Sequence, residues 1–240
     1  GMAVAFGAIG FMDDYISILK KRNLGLTERQ KLVLQFLVAA AYLASVRLAG
    51  GGTFTTIPFV GQVDLGLFYY PLAAVVIVGV DNAVKFTDAI DGLNTTVSFF
   101  AFLSLALCAG ILSMTGLTAL GLASAAACVG FLIWNWHPAK VFMGDTGSLF
   151  MGGMVCALAF GMDLPLLLLP VGFVYLCEIG SVVLQVTYFK ATHGKRLFKM
   201  SPIHHHFEMC GWSEVKICLV FGLVALLGGA VALACVLFGL

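Results

Sequence analysis

The chain has 240 residues, of which 61% are hydrophobic and 10% charged, with a formal net charge of +1 and a mean hydropathy of +1.04. Soluble domains carry about a quarter charged residues, so this composition excludes a soluble globular domain and places the chain in a lipid bilayer. A net charge so near zero gives no sign of an acidic partner, and no nucleic acid is expected. The 28 glycines suit helices that pack closely in lipid. The seven cysteines, Cys108, Cys128, Cys156, Cys177, Cys210, Cys218 and Cys235, form no C-x-x-C pair. They read as small hydrophobes rather than as a disulfide framework or a zinc site.

In chain order, the first apolar run, Gly1 to Met12, is shorter than the ~20 residues a span needs. It reads as the end of a helix that begins upstream. Asp13-Asp14 follows it where the span meets water, either as a capped helix end or as part of a site. Apolar runs recur at 32–50, 67–84, 95–113, 117–136, 148–163, 164–189 and 217–239, which with the first make about eight membrane crossings. Gly161, Asp163 and Pro165 predict a tight turn between the fifth and sixth of these. Thr53 to Asp64, with Val60-Gly61-Gln62 at its centre, reads as a small β-hairpin or as a plain loop. One domain is expected over 1–240, with no linker.

Basic residues set the orientation. Alternating spans deliver 13–31, 81–94, 137–147 and 190–216 to one side, with Lys20, Lys21, Arg22, Arg29, Lys31, Lys85, Lys140, Lys190, Lys195, Arg196, Lys199 and Lys216. Only Arg47 faces the other side, so the basic side is the cytoplasm. His137, His193, His204, His205 and His206 lie there too, with Asp13, Asp14, Asp81, Asp88, Asp91 and Asp145 at or beside the membrane boundary. Ionisable groups that close to hydrocarbon are costly and mark function. Aspartates converging from several helix ends would repel one another without a cation. Oxygen ligands of this kind select magnesium or manganese over zinc.

Four segments carry the chemistry. Thr87-Asp-Ala-Ile-Asp91-Gly92 places two carboxylates on one face if it is helical. Otherwise it is a turn ahead of a helix capped by Asn94 or Thr95. In Asn135-Trp-His-Pro-Ala-Lys-Val-Phe-Met-Gly-Asp145-Thr-Gly-Ser148, glycines let a ligand approach the backbone beside Asp145. Thr146 to Ser148 then open a helix whose N-terminal amides favour phosphate. Ser201-Pro-Ile-His-His-His-Phe-Glu208 is suited to phosphate contact or proton transfer, since successive histidines rarely converge on one ion. Glu178, Ser181 and Gln185 share one inward face of a span, as helix-packing contacts or as part of a site.

Gly10-Phe-Met-Asp-Asp-Tyr15, Asn82 through Leu93, Asn135 through Leu149 and Arg196 through Glu208 resemble, in order and spacing, the phospho-N-acetylmuramoyl-pentapeptide transferases. That family is a branch of the polyprenyl-phosphate N-acetylhexosamine-1-phosphate transferases. The His-His-His-Phe-Glu run separates it from relatives that use UDP-N-acetylglucosamine. The resemblance implies an all-α polytopic membrane fold of about ten spans with an external β-hairpin, so that this chain would lack its N-terminal two to three. It also implies a homodimer in a bacterial inner (cytoplasmic) membrane, with its active site facing the cytoplasm. The implied reaction moves phospho-MurNAc-pentapeptide from UDP-MurNAc-pentapeptide to undecaprenyl phosphate, giving lipid I and UMP in peptidoglycan biosynthesis.

By position, the resemblance makes Asp145 the ligand of magnesium, with manganese as the alternative ion. Asp13 becomes the group that deprotonates or positions the lipid phosphate, with Asp14 beside it and Asp88 near the diphosphate. Asp91, Asn135 and Phe142 match positions that hold uridine, with Phe142 free to stack on uracil. Lys31, Asn82, Gln185, His204, His205 and His206 match further active-site positions, His204 among the catalytic ones. Family members commonly carry Lys where Ser17 stands, Asn where Lys85 stands and Gly where Ala89 stands. Lys85 either returns the missing positive charge to the substrate phosphates or is local variation. Direct attack by the lipid phosphate is expected rather than a phospho-aspartate, because Asp145 serves better as a ligand than as a nucleophile. A transporter, the rival of another class, would carry its ionisable groups near the bilayer midplane.

Overall fold

Hydrocarbon offers a backbone no partner, so each span must bond to itself and helices dominate. The computed structural model describes residues 1–21 and 25–239; Arg22, one of the basic residues counted above, lies outside them. The chain runs through α1 (Met2–Lys20), α2 (Glu28–Leu48), strands β1 (Phe54–Ile57) and β2 (Gly61–Asp64), α3 (Tyr69–Thr87), α4 (Leu93–Ile111) and α5 (Thr115–Asn135). It continues through α6 (Gly144–Gly161), α7 (Leu168–Val171), α8 (Phe173–Ala191), α9 (Ile203–Glu208) and α10 (Glu214–Gly239). Among the described residues, seven helices are long and apolar enough to cross a membrane: α1, α2, α3, α4, α5, α8 and α10. The run at 148–163 forms α6, which opens on the polar turn Gly144-Asp-Thr-Gly-Ser148.

Helix α6 lies inside the bundle, packed along α1 and α3 and touching α4, while α4 packs along α5 and α10. The hairpin is present, with Phe54 opposite Asp64 and Ile57 opposite Gly61. Thr53 Oγ1 and Gly66 N–H both donate to Asp64, which holds its carboxyl below the usual range. Thr56 N–H donates to Asp163 O (3.3 Å) and Phe59 N–H to Gly239 O (2.7 Å). The hairpin therefore sits at the end of the bundle where α6 stops and α10 finishes, opposite the aspartates described below. The predicted turn after α6 is also observed, with Asp163 at φ +56°.

Four boundaries differ from the sequence reading. Helix α1 continues to Lys20, so Asp13 and Asp14 lie within it rather than capping it; two polar residues do not stop a helix whose backbone bonds remain available. Helix α3 reaches Thr87, which puts Asp81 inside a span and fully buried. Residues 88–92 form a turn, so Asp88 and Asp91 do not share a helical face, and Gly92 rather than Asn94 or Thr95 is the N-cap of α4. The run at 164–189 is broken at Gly172, where a Cβ would stand 2.5 Å from Leu168 O.

Burial of Asp81 is met in part by Gln35, one turn after Lys31 on the buried stripe of α2. Gln35 Nε2 donates to Asp81 Oδ2 (2.9 Å), and Asn82 Nδ2 donates to Gln35 Oε1 (2.9 Å). Buried acids need such partners. Gln35→Leu should cost about 2 kcal/mol, read as a lower thermal-unfolding midpoint in detergent. Adding Asp81→Leu should recover part of it, because both polar partners are then gone.

Candidate active site

Four helices bring their charges to one point. Asp13 on α1, Lys31 on α2, Lys85 on the last turn of α3 and Asp145 on the first turn of α6 are far apart in sequence. Lys31 Nζ lies 2.9 Å from Asp13 Oδ2 and 3.1 Å from Asp145 Oδ2, and Lys85 Nζ lies 2.8 Å from the same Asp145 Oδ2. Leu26 N–H donates to Asp13 Oδ1 (2.6 Å), tying the start of α2 to α1. A capping box between Thr27 and Gln30 starts α2 just beyond that bond and so fixes where Lys31 points.

Asp14 has a different task from its neighbour. Its carboxylate accepts from Thr146 N–H (3.0 Å), Thr146 Oγ1 (2.7 Å) and Asp145 N–H (3.4 Å). The N-terminal amides of α6, predicted above to favour phosphate, are thus taken by a carboxylate from α1, the charge that a helix N-terminus favours. The approach this requires depends on Gly10, where a Cβ would fall 2.1 Å from Asp145 O.

Asp91 belongs to a second group. Its Oδ2 accepts from Ala139 N–H (2.8 Å) and lies 3.1 Å from His137 Nδ1, and Glu214 Oε2 is 3.4 Å from that same nitrogen. Asp91 N–H also donates to Glu214 (3.3 Å). Asn135 is buried, accepting from Thr95 Oγ1 (2.7 Å) and donating to Val141 O (3.0 Å), so it shapes the loop that carries Phe142. Phe142 is 72% exposed, open to a planar partner. Asn82, by contrast, is spent on Gln35 and on Val78 O (2.8 Å).

The three histidines on α9 diverge. His204 is fully buried with Nδ1 2.8 Å from Glu178 Oε2, and among the described residues its Nε2 has no partner. His205 pairs with Glu208, and His206 Nδ1 accepts from Lys199 N–H (3.1 Å). Gln185 Oε1 accepts from Leu197 N–H (3.1 Å) and Phe198 N–H (2.9 Å), pinning the loop that leads to α9. Sequence reasoning missed His137 and Glu214 as partners of Asp91, since three separated segments leave no spacing to read. It missed Gln35 for the same reason.

Oxygen atoms of Asp13, Asp14 and Asp145 all lie within 4.8 Å of one another. Such a hard donor set fits magnesium or manganese, with Lys31 and Lys85 already neutralising part of the charge. Asp88 is half-buried at the edge of this group. Burial, with Asp145 and Asp14 nearby, pushes its carboxyl up to about 7.

Comparison with known proteins agrees with this picture. The sequence profile described as glycosyl transferase family 4 matches residues 1–163. The phospho-N-acetylmuramoyl-pentapeptide-transferase of Halalkalibacterium halodurans is 44% identical over 233 residues, covering 97% of this chain and 71% of the relative. That of Listeria monocytogenes serotype 4b is 42% identical over 234 residues (97% and 72%). That of Clostridium perfringens is 46% identical over 232 residues (96% and 71%). Fold and matches together define a polytopic membrane transferase. The chain belongs to glycosyl transferase family 4, in its phospho-N-acetylmuramoyl-pentapeptide-transferase branch.

Two outcomes follow from the geometry. Gly10→Ala should force α1 off α6 and cost about 1–3 kcal/mol in thermal unfolding, whereas Gly79→Ala, with open space around its Cβ, should not. Asp88, ordinarily near 3.8, is raised to about 7, so ionising it opposes folding. That penalty is absent below about pH 4, grows as pH rises and is complete above about pH 7. In metal-free protein the stability gain of Asp88→Asn over wild type should therefore grow across that window and then level. A gain that does not change with pH would contradict the assignment.

Proposed function

We propose that the chain transfers phospho-MurNAc-pentapeptide from UDP-MurNAc-pentapeptide to undecaprenyl phosphate, releasing UMP and forming lipid I at the cytoplasmic face of a bacterial inner membrane. The observation that carries this reading is the cluster of Asp13, Asp14, Lys31, Lys85 and Asp145 at one end of an apolar bundle. An acceptor whose head group waits at the membrane boundary meets its donor there. The basic residues gathered at that end support the cytoplasmic orientation, and the protein acts as a homodimer.

Asp13, oriented by Lys31 and Leu26 N–H, receives or directs the lipid phosphate. Asp145, held at the start of α6, would hold the magnesium, with carboxylate oxygens of Asp13 and Asp14 close by. When bound, the ion supplies charge neutralisation to the diphosphate and the departing UMP. Lys31 and Lys85 add positive charge on the same side, and Asp88 lies beside the diphosphate. Asp91, steadied by His137 and Ala139 N–H, and Phe142 take the uridine, on a loop held by Asn135. Gln185 and the α9 histidines serve the same reaction from the loop and short helix they hold, with Glu178 fixing His204, while Asn82 acts through Gln35.

An oxygen of the lipid phosphate forms a bond to the sugar-bearing phosphorus as that phosphorus gives up its bond to UMP. Direct transfer fits Asp145, whose carboxylate is held by Lys31 and would serve as a metal ligand, which makes it a poor nucleophile. The test is UMP release by wild type and Asp145→Asn in detergent, with undecaprenyl phosphate and either UDP-MurNAc-pentapeptide or UDP-N-acetylglucosamine. Magnesium-dependent release from the muramoyl substrate is expected, reduced about 10²-fold or more in the variant. Release from the glucosamine nucleotide alone, or full activity of Asp145→Asn, would overturn the proposal.

A further inference from the structure

Two lysines converge on a single atom. Lys85 Nζ (2.8 Å) and Lys31 Nζ (3.1 Å) both contact Asp145 Oδ2. They differ in how firmly they are held. Lys31 is nearly buried and is also bound to Asp13 at 2.9 Å, with Glu28 at 3.8 Å. Among the described residues, Lys85 makes its one ion pair with Asp145, from the last turn of α3 and on a flexible four-carbon stem. The bond that can be given up is therefore the one from Lys85.

We propose that Lys85 is a resident cation on the metal-ligating carboxylate. A divalent ion displaces it on entering, and the freed ammonium moves to the nucleotide diphosphate. This inference rests on the reading of Asp145 as a metal ligand. The ion would bond an Asp145 oxygen at about 2.1 Å, while an ammonium held at 2.8 Å from Oδ2 would stand within a few ångströms of it. Like charges at that separation, in a partly buried site, repel strongly. Lys85 therefore lowers metal affinity in the absence of substrate. Once the diphosphate is present the ammonium has a second anion to pair with, and the penalty is relieved. Metal and nucleotide then strengthen each other by the same factor, and Lys85 is the residue that couples them.

The experiment titrates Mn²⁺ against the full chain in detergent by electron paramagnetic resonance, with and without UDP, at one pH. It compares wild type with Lys85→Asn and Lys85→Met; the methionine keeps most of the apolar stem and so the packing of α3. Without UDP, both variants should bind Mn²⁺ about tenfold or more tightly than wild type. UDP should tighten Mn²⁺ binding by a larger factor in wild type than in either variant. Unchanged or weaker Mn²⁺ affinity in both variants, or an equal effect of UDP in all three proteins, would overturn the inference while leaving the metal site standing. Failure of every form to bind Mn²⁺, wild type included, would instead remove the metal reading and this inference with it.

Discussion

The carboxylate of Asp14 on the first turn of α6 is the contact from which the rest of the site is built. It joins two helices distant in sequence by placing a full negative charge on amides that would otherwise be unpaired. Once α1 and α6 are locked in that register, Asp13 and Asp145 must face one another, and two like charges must share one small volume. Lys31 and Lys85, arriving from α2 and α3, make that arrangement tolerable. The cluster is thus a consequence of helix packing, and Gly10 sets how tight that packing can be.

The division of labour between adjacent aspartates follows from helical geometry. Consecutive residues on a helix point about 100° apart, so Asp13 looks toward α2 while Asp14 looks toward α6. A pair that is indistinguishable in sequence becomes one group held by an ammonium and another that anchors a helix.

Much of the fold was legible because composition and length constrain it. Apolar runs can only be helices in lipid, and threonines and valines around Val60-Gly61-Gln62 gave the hairpin. The gathering of aspartates at one end also followed from counting spans. Legibility failed where local and tertiary demands compete. Asp13 and Asp14 looked like a helix end, yet α1 runs on to Lys20, with no glycine or proline in between to break it. The amides at the start of α6 looked like a phosphate site until α1 supplied an anion. Asp88 and Asp91, three residues apart, fall in different groups because α3 ends just before them and the chain turns until Gly92 opens α4. Which lysine meets which acid, and the grouping of Asp91 with His137 and Glu214, depends on contacts between separate helices and loops and leaves no mark in the local pattern.

Asp81 has a bearing on how the protein is made. A carboxylate in the middle of α3 disfavours entry of that segment into lipid by about 3 kcal/mol when it is alone. Its partner Gln35 lies on α2, which leaves the ribosome before α3. The hairpin between them is short enough for the two segments to meet at once. Biosynthesis therefore favours joint insertion of α2 and α3, and the order of the chain itself protects an acid that the finished bundle then conceals.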